Sequence, residues 1–168
     1  MLAPRWCWTT APTTAVVAMH EALSQARFEQ EVAAIPPAIC NTRRWKIHQA
    51  AFPIFDVEFQ AADGDDRPGL RLRMDFSDWN ELPPSIVLLR PDGTVITQIL
   101  PPRGGTGVFN AGPHTSFARP FICMKGSREY HTHTSHTADL WDNYKNASGY
   151  DLGGIITQVW KAWQKDRP

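Results

Sequence analysis

The chain has no apolar run approaching the roughly 20 residues that a membrane-spanning helix needs, so no bilayer span is expected. It also has no block of lysine and arginine. Seventeen basic residues balance 17 acidic ones, for a formal net charge of zero. That balance excludes the electrostatic footprint of a nucleic-acid binder and points to a protein or small-molecule partner. Cysteine is scarce: Cys7, Cys40 and Cys123 are the full set of three, widely separated. An odd, dispersed set argues against a disulfide scaffold and for a reducing, cytoplasmic setting. Internal repeats and low-complexity runs are absent as well. Residues 1–18 are too broken by Pro4, Pro12 and threonines to form a secretory apolar region. They read as a disordered tail, with Met19 an alternative start of translation. A length of 168 residues suits one domain, expected over 19–168.

What is present reads as an α+β protein. Met19, Leu23, Ala26, Val32 and Ile35 recur at helical spacing, and Pro36-Pro37 stops that helix. Arg44 to Ala61 is rich in aromatic and branched residues and predicts two strands with a bend near Pro53. After a turn cluster, Leu70, Leu72, Met74 and Phe76 alternate with Arg71, Arg73 and Asp75, the pattern of a half-buried strand. Leu82 to Leu89 is a proline-started apolar strand closed by Pro91-Asp92-Gly93, which completes an antiparallel meander. Thr94 to Pro120 carries too many prolines and glycines for regular structure and is expected to be a long loop. A short helix over Thr137–Asn146 would place Leu140, Trp141 and Tyr144 on one side. The last helix is the clearest: Leu152, Ile155, Ile156, Val159, Trp160 and Trp163 form one stripe, and Asp151 suits its N-terminus.

Chemistry concentrates in Cys123–His136, CMKGSREYHTHTSH. If Glu129 to His133 is extended, Glu129, His131 and His133 project from one face while Tyr130 and Thr132 point away. With Met124 to Arg128 as a hairpin loop, Cys123 falls opposite Glu129 on that face. A Cys/Glu/His/His group suits zinc, which accepts thiolate, carboxylate and imidazole, so zinc is the candidate cofactor. His136 is a replacement ligand or a supporting neighbour. Asp139 and Asp142 are weaker candidates to orient a ring. Of the remaining groups, Cys40 reads as a small core residue, Cys7 as part of the tail and His48 as a strand-surface residue.

The order of elements resembles the ubiquitin-conjugating-enzyme fold. So do Trp45 before a strand pair, Leu82-Pro83-Pro84 opening the next strand, Phe121-Ile122-Cys123-Met124, and a late helix with Leu152, Ile155 and Ile156. Within that superfamily, YHTHTSH resembles the bacterial domains described as a predicted metal-binding CEHH family. The resemblance implies a ubiquitin-like protein and its activating enzyme as partners, and Cys123, Glu129, His131 and His133 or His136 as the named set. His114, in Gly112-Pro113-His114-Thr115-Ser116, matches the histidine of the family's His-Pro-Asn element. The asparagine is missing, so Thr115 would have to supply a hydroxyl where an amide donor normally supports an oxyanion.

Three functions follow from this sequence. As a transferase, Cys123 would carry a ubiquitin-like C-terminus as a thioester, with His131 or His133 as base. As a zinc-binding accessory protein, the same thiolate would be consumed by the metal. As a catalytically silent interaction module, the chain would hold a partner through its long loop and exposed strand.

Overall fold

Alternating apolar residues build the centre of the molecule. The computed structural model describes residues 13–98, 107–112 and 114–166, with backbone alone for 13–19. Four strands, β1 (Trp45–Ala51), β2 (Ile54–Phe59), β3 (Leu70–Asp75) and β4 (Ser85–Leu89), form an antiparallel sheet in the order β1-β2-β3-β4. Val57 pairs with Leu72 and Leu72 with Leu88. This register stacks the apolar residues of three strands on one buried face, and a slip of one residue would turn them all outward. The architecture is the α+β layout expected: an N-terminal helix, an antiparallel meander and C-terminal helices.

The opposite face of the sheet is polar but not open. Asp56, 1% exposed, accepts from Arg71 at 2.6 and 2.9 Å and from Arg73 at 3.1 Å. Burial works to raise the Asp56 carboxyl, but the two guanidinia together hold it below its usual range. Beside it on β1, His48 pairs with Glu58 at 2.8 Å.

The helices depart from expectation in instructive ways. Helix α1 covers Thr13–Ala33, so residues 13–18 of the expected tail are helical, and residues 1–12, with Cys7, lie outside the described residues. Its inward face is rotated from the one expected. Leu23 is 67% exposed, whereas Phe28 and Ser24 are buried. Glu31 also turns inward, because its carboxylate accepts from the Trp79 indole at 3.2 Å and from the Leu152 backbone N–H at 2.8 Å. Pro36-Pro37 does not only stop a helix. It starts α2 (Pro37–Arg43), since proline in the first turn gives up no intrahelical hydrogen bond. Cys40, on α2, is partly buried against the core.

Past β4, the expected loop holds one short strand, β5 (Phe109–Asn110), paired with β6 (Phe121–Ile122). Residues 99–106 of that loop lie outside the described residues. After β6 comes α3 (Arg128–Thr132). The helix expected over Thr137–Asn146 is reduced to a 3-10 turn at Trp141–Asn143. Trp141 is buried as expected but Leu140 is 58% exposed. The final helix, α4 (Leu152–Lys165), starts at Asp151, whose carboxylate accepts from the Gly154 N–H at 2.7 Å. Its stripe of Leu152, Ile155, Ile156, Val159 and Trp163 is buried, with Trp163 against Phe59 of the sheet. Each such side chain contributes about 1.5–3 kcal/mol by leaving water. Among the described residues, no helix is long and apolar enough to cross a membrane.

Candidate functional site around Cys123

Cys123 follows β6 and stays tied to the neighbouring strand region, because its N–H donates to the Val108 carbonyl at 2.7 Å. The chain then presses onto α4. A Cβ at Gly126 would lie 2.9 Å from Ile155 Cγ1, so the absence of a side chain lets the loop lie this close. The Ser127 hydroxyl donates to the Ile122 carbonyl at 2.7 Å and accepts from the Tyr130 N–H at 3.3 Å. That serine is the N-cap of α3, and Glu129 sits in its first turn. Cap and charge together outweigh the weak helix propensity of the Thr-rich run. Glu129 to His133 is therefore not a strand, and Cys123 does not face Glu129 across a hairpin.

The helix separates what a strand would have gathered. Glu129 enters the interior, 3% exposed. Its carboxylate accepts from Ser85 Oγ at 2.7 Å and from the Ile86 N–H at 3.0 and 3.1 Å, with Arg119 at 3.8 Å. Arg119 also donates to the Ile86 carbonyl at 3.4 Å. Since β4 is the edge of the sheet, this pair satisfies backbone groups that would otherwise be left without partners. Burial raises the Glu129 carboxyl above its usual range, against the opposing pull of its hydrogen bonds and Arg119.

Two of the candidate histidines are likewise occupied with structure. His131 has Nδ1 at 2.6 Å from the Asp139 carbonyl and Nε2 at 2.6 Å from the Lys125 carbonyl. Neither nitrogen is presented to a metal or to the thiol. His114 is buried, with Nε2 donating to the Glu129 carbonyl at 3.0 Å and Nδ1 accepting from the Ser116 N–H at 3.1 Å. These contacts fix its neutral tautomer. Its ring stacks on Phe117 at 4.3 Å, and it pins the preceding loop to α3. Thr115 is exposed in the turn between His114 and Phe117.

What remains beside Cys123 is His136. Its Nε2 lies 3.8 Å from Cys123 Sγ, and both residues are partly exposed. Burial pushes the Cys123 thiol up. His133 is the next ring, 5.9 Å from that of His136 and stacked on Phe121 at 5.8 Å. His131 instead contacts Trp141, so His131 and His133 serve different sides of α3. On its other flank His136 stacks on Tyr130, with ring centroids 4.0 Å apart and an 11° angle between planes. The Tyr130 hydroxyl donates to Asp139 Oδ2 at 2.9 Å, and the Tyr144 hydroxyl to Oδ1 at 2.7 Å. Those hydroxyls, Tyr144 first, hold the Asp139 carboxyl below its usual range, with Lys125 adding a smaller pull. Burial, then the Asp139 carboxylate, holds the Tyr130 phenol above its own.

Among the described residues, no group of three His, Cys, Asp or Glu side chains is arranged to hold a metal ion. Of the five expected ligands, Glu129 is occupied by the Ser85 hydroxyl, the Ile86 N–H and Arg119, and His131 by two backbone carbonyls, which leaves Cys123, His133 and His136. Tyr130, read from the sequence as pointing away, belongs to the site. A signal for it existed. Tyr130, His133, His136 and Asp139 recur every third residue, and successive turns close from the His133 N–H to the Tyr130 carbonyl, from His136 to His133 and from Asp139 to His136.

The family model described as Y4jH-like, the Y4jH family, matches residues 110–166. The matched stretch runs from the end of β5 through α4 and contains Cys123, Glu129, Tyr130, His131, His133, His136 and Asp139. No curated protein sequence matches the chain.

Proposed function

We propose that Cys123 is a nucleophile that carries an acyl group as a thioester, with His136 as its proton acceptor. The observation that carries this reading is the 3.8 Å contact between a partly exposed thiol and an imidazole nitrogen, in a segment where Glu129 and His131 are spent on the fold. A gap of that size without substrate is compatible with a base that closes in on the thiol during reaction. The resemblance to ubiquitin-conjugating enzymes supplies the acyl donor: the C-terminus of a ubiquitin-like protein, presented as a thioester by its activating enzyme. The Cys123 sulfur attacks that carbonyl carbon, a new C–S bond forms as the old one breaks, and the proton leaving through His136 returns to the departing thiol. The raised thiol suits a carrier. A less acidic thiol is a poorer leaving group, which makes the loaded thioester longer-lived.

With the cognate activating enzyme, ubiquitin-like protein and nucleotide, wild type is expected to form an adduct released by thiol reductant. Cys123→Ala forms none, Cys123→Ser forms an ester that resists thiol and is cleaved by base, and His136→Gln loads about 10²-fold more slowly. Absence of adduct on wild type, or an adduct unchanged in Cys123→Ala, ends the reading.

A second reading rests on the proximity of His133 to the Cys123–His136 pair. Rotation of that ring would complete a Cys/His/His set of the kind zinc accepts, and the protein would then be a zinc-binding accessory of the same pathway. Stoichiometric zinc in purified protein, lost in Cys123→Ser/His136→Gln, is its expected signature; zinc retained by that double variant would remove it.

A further inference from the structure

His136 lies outside every helix and strand, in the run of turns between α3 and Trp141. Its neighbours Ser135 and Thr137 are exposed, and the His133 ring lies farther off, at 5.9 Å. Tyr130 faces that ring almost in parallel at 4.0 Å. Tyr130 is itself anchored on α3, and its hydroxyl is tied to Asp139, which Tyr144 grips from the other oxygen. The Asp139 N–H donates to the His136 carbonyl at 2.9 Å, closing a loop of contacts from Tyr130 through His136 to Asp139.

We infer that Tyr130 is a positioning residue for Cys123, holding the His136 imidazole with its Nε2 toward the sulfur. The inference rests on the reading of Cys123 as a nucleophile. Tyr130 touches neither the thiol nor the acyl donor in this role; it acts through His136. Without the stacked ring, His136 is free to turn about its side-chain bonds, and proton acceptance from Cys123 becomes an occasional event instead of a standing geometry.

The test is a double-mutant cycle on the alkylation of Cys123 by iodoacetamide, in Cys7→Ser/Cys40→Ser protein at one fixed pH. In this step the sulfur bonds to the methylene carbon, iodide leaves with the C–I electron pair, and the thiol proton passes to His136. His136→Gln is expected to slow alkylation about tenfold or more. Tyr130→Leu is expected to slow it about three- to tenfold when His136 is present and by less than about 1.5-fold in His136→Gln protein, the non-additivity of residues acting as one unit. Tyr130→Phe, which keeps the stack, recovers most of the rate. Equal slowing by Tyr130→Leu in both backgrounds, or a Tyr130→Phe protein as slow as Tyr130→Leu, overturns the inference. Should the leucine variant not fold, proton NMR of the wild type decides. The His136 ring protons are expected upfield of their free-peptide positions because they lie over the Tyr130 ring, and free-peptide positions overturn the stack. Alkylation needs neither activating enzyme nor ubiquitin-like protein. An additive cycle therefore removes the role of Tyr130 while the adduct assay still judges the carrier, and a missing adduct leaves the cycle intact.

Discussion

Glu129 and Cys123 lie six residues apart and live in opposite circumstances. Glu129 is buried with hydrogen-bond donors on both carboxylate oxygens and its own helix anchored to the edge of the sheet. Cys123 is partly exposed, and among the described residues its sulfur has one long polar contact, to His136. The difference shows how a short helix sorts similar chemistry into two uses. Glu129, turned toward the sheet edge, completes the fold, and Cys123, ahead of the helix, stays partly exposed beside His136. A saturated carboxylate is a poor candidate for metal or proton transfer, since any new partner must displace several that it already has.

The strongest way to break this contrast is Glu129→Ala. It would leave the Ile86 N–H and the Ser85 hydroxyl without an acceptor and Arg119 without its counter-charge. A loss of about 3–5 kcal/mol is expected, the range for removing one partner of a buried charged pair, measured by urea unfolding. A loss under about 1 kcal/mol would mean that Glu129 is not committed to the fold and would return it to the list of ligands.

A smaller effect sharpens the point through pH. Glu129 and Asp56 are both buried carboxylates, but Asp56 contacts two guanidinia directly while Glu129 is served mostly by neutral donors, and their shifts are opposite. Glu129, raised in the folded state, contributes stability that is fully present below its unfolded value of 4.5 and is lost as pH rises through its folded value. Asp56, lowered, contributes stability that is present above 3.8 and is lost as pH falls through its folded value. The cost of Glu129→Gln should accordingly narrow as pH rises, and that of Asp56→Asn as pH falls. Denaturation midpoints of the two variants and wild type across the acid-to-neutral range check this, and parallel trends in both variants would refute it.

Next in size is Tyr144→Phe, which removes one of the two hydroxyls on Asp139 while keeping the ring under Lys125. About 1 kcal/mol of stability should be lost, the ordinary net value of a hydrogen bond. No measurable loss in thermal or urea melts would show that Asp139 is held well enough by Tyr130 alone.

The same contrast explains what could be known from the sequence. The strands were legible because Leu70, Leu72 and Met74 alternate and all three are buried, and α4 because its stripe spans the whole helix. The inward face of α1 was not. Glu31 turns in for Trp79 and Leu152, which are 48 and 121 residues away along the chain, and no local pattern carries that information. Within the Cys123–His136 segment, Glu129 and His131 face other partners than the extended reading gave them. Whether five residues from 128 to 132 are strand or helix cannot be settled by periodicity, and here the decision belongs to the Ser127 cap and the burial of Glu129, both tertiary matters. Once that element becomes a helix, Cys123 loses Glu129 and His131 as neighbours and keeps His136.

The smallest expected effect bears most directly on which half of the segment is functional. Cys123→Ala removes a sulfur whose polar contact among the described residues is one 3.8 Å approach to His136. The backbone bond from residue 123 to Val108 survives the change. The packing beneath belongs to Ile122 and Met124, both buried, and it is untouched. A partly exposed atom leaves little cavity behind, so the stability change should stay within about 1 kcal/mol by urea unfolding. Glu129→Ala and Cys123→Ala would then differ several-fold in their effect on folding, although both change one short segment. If Cys123→Ala instead costs as much as Glu129→Ala, the sulfur is a structural element of the fold, and a thiol that the fold depends on is poorly placed to accept and release an acyl group.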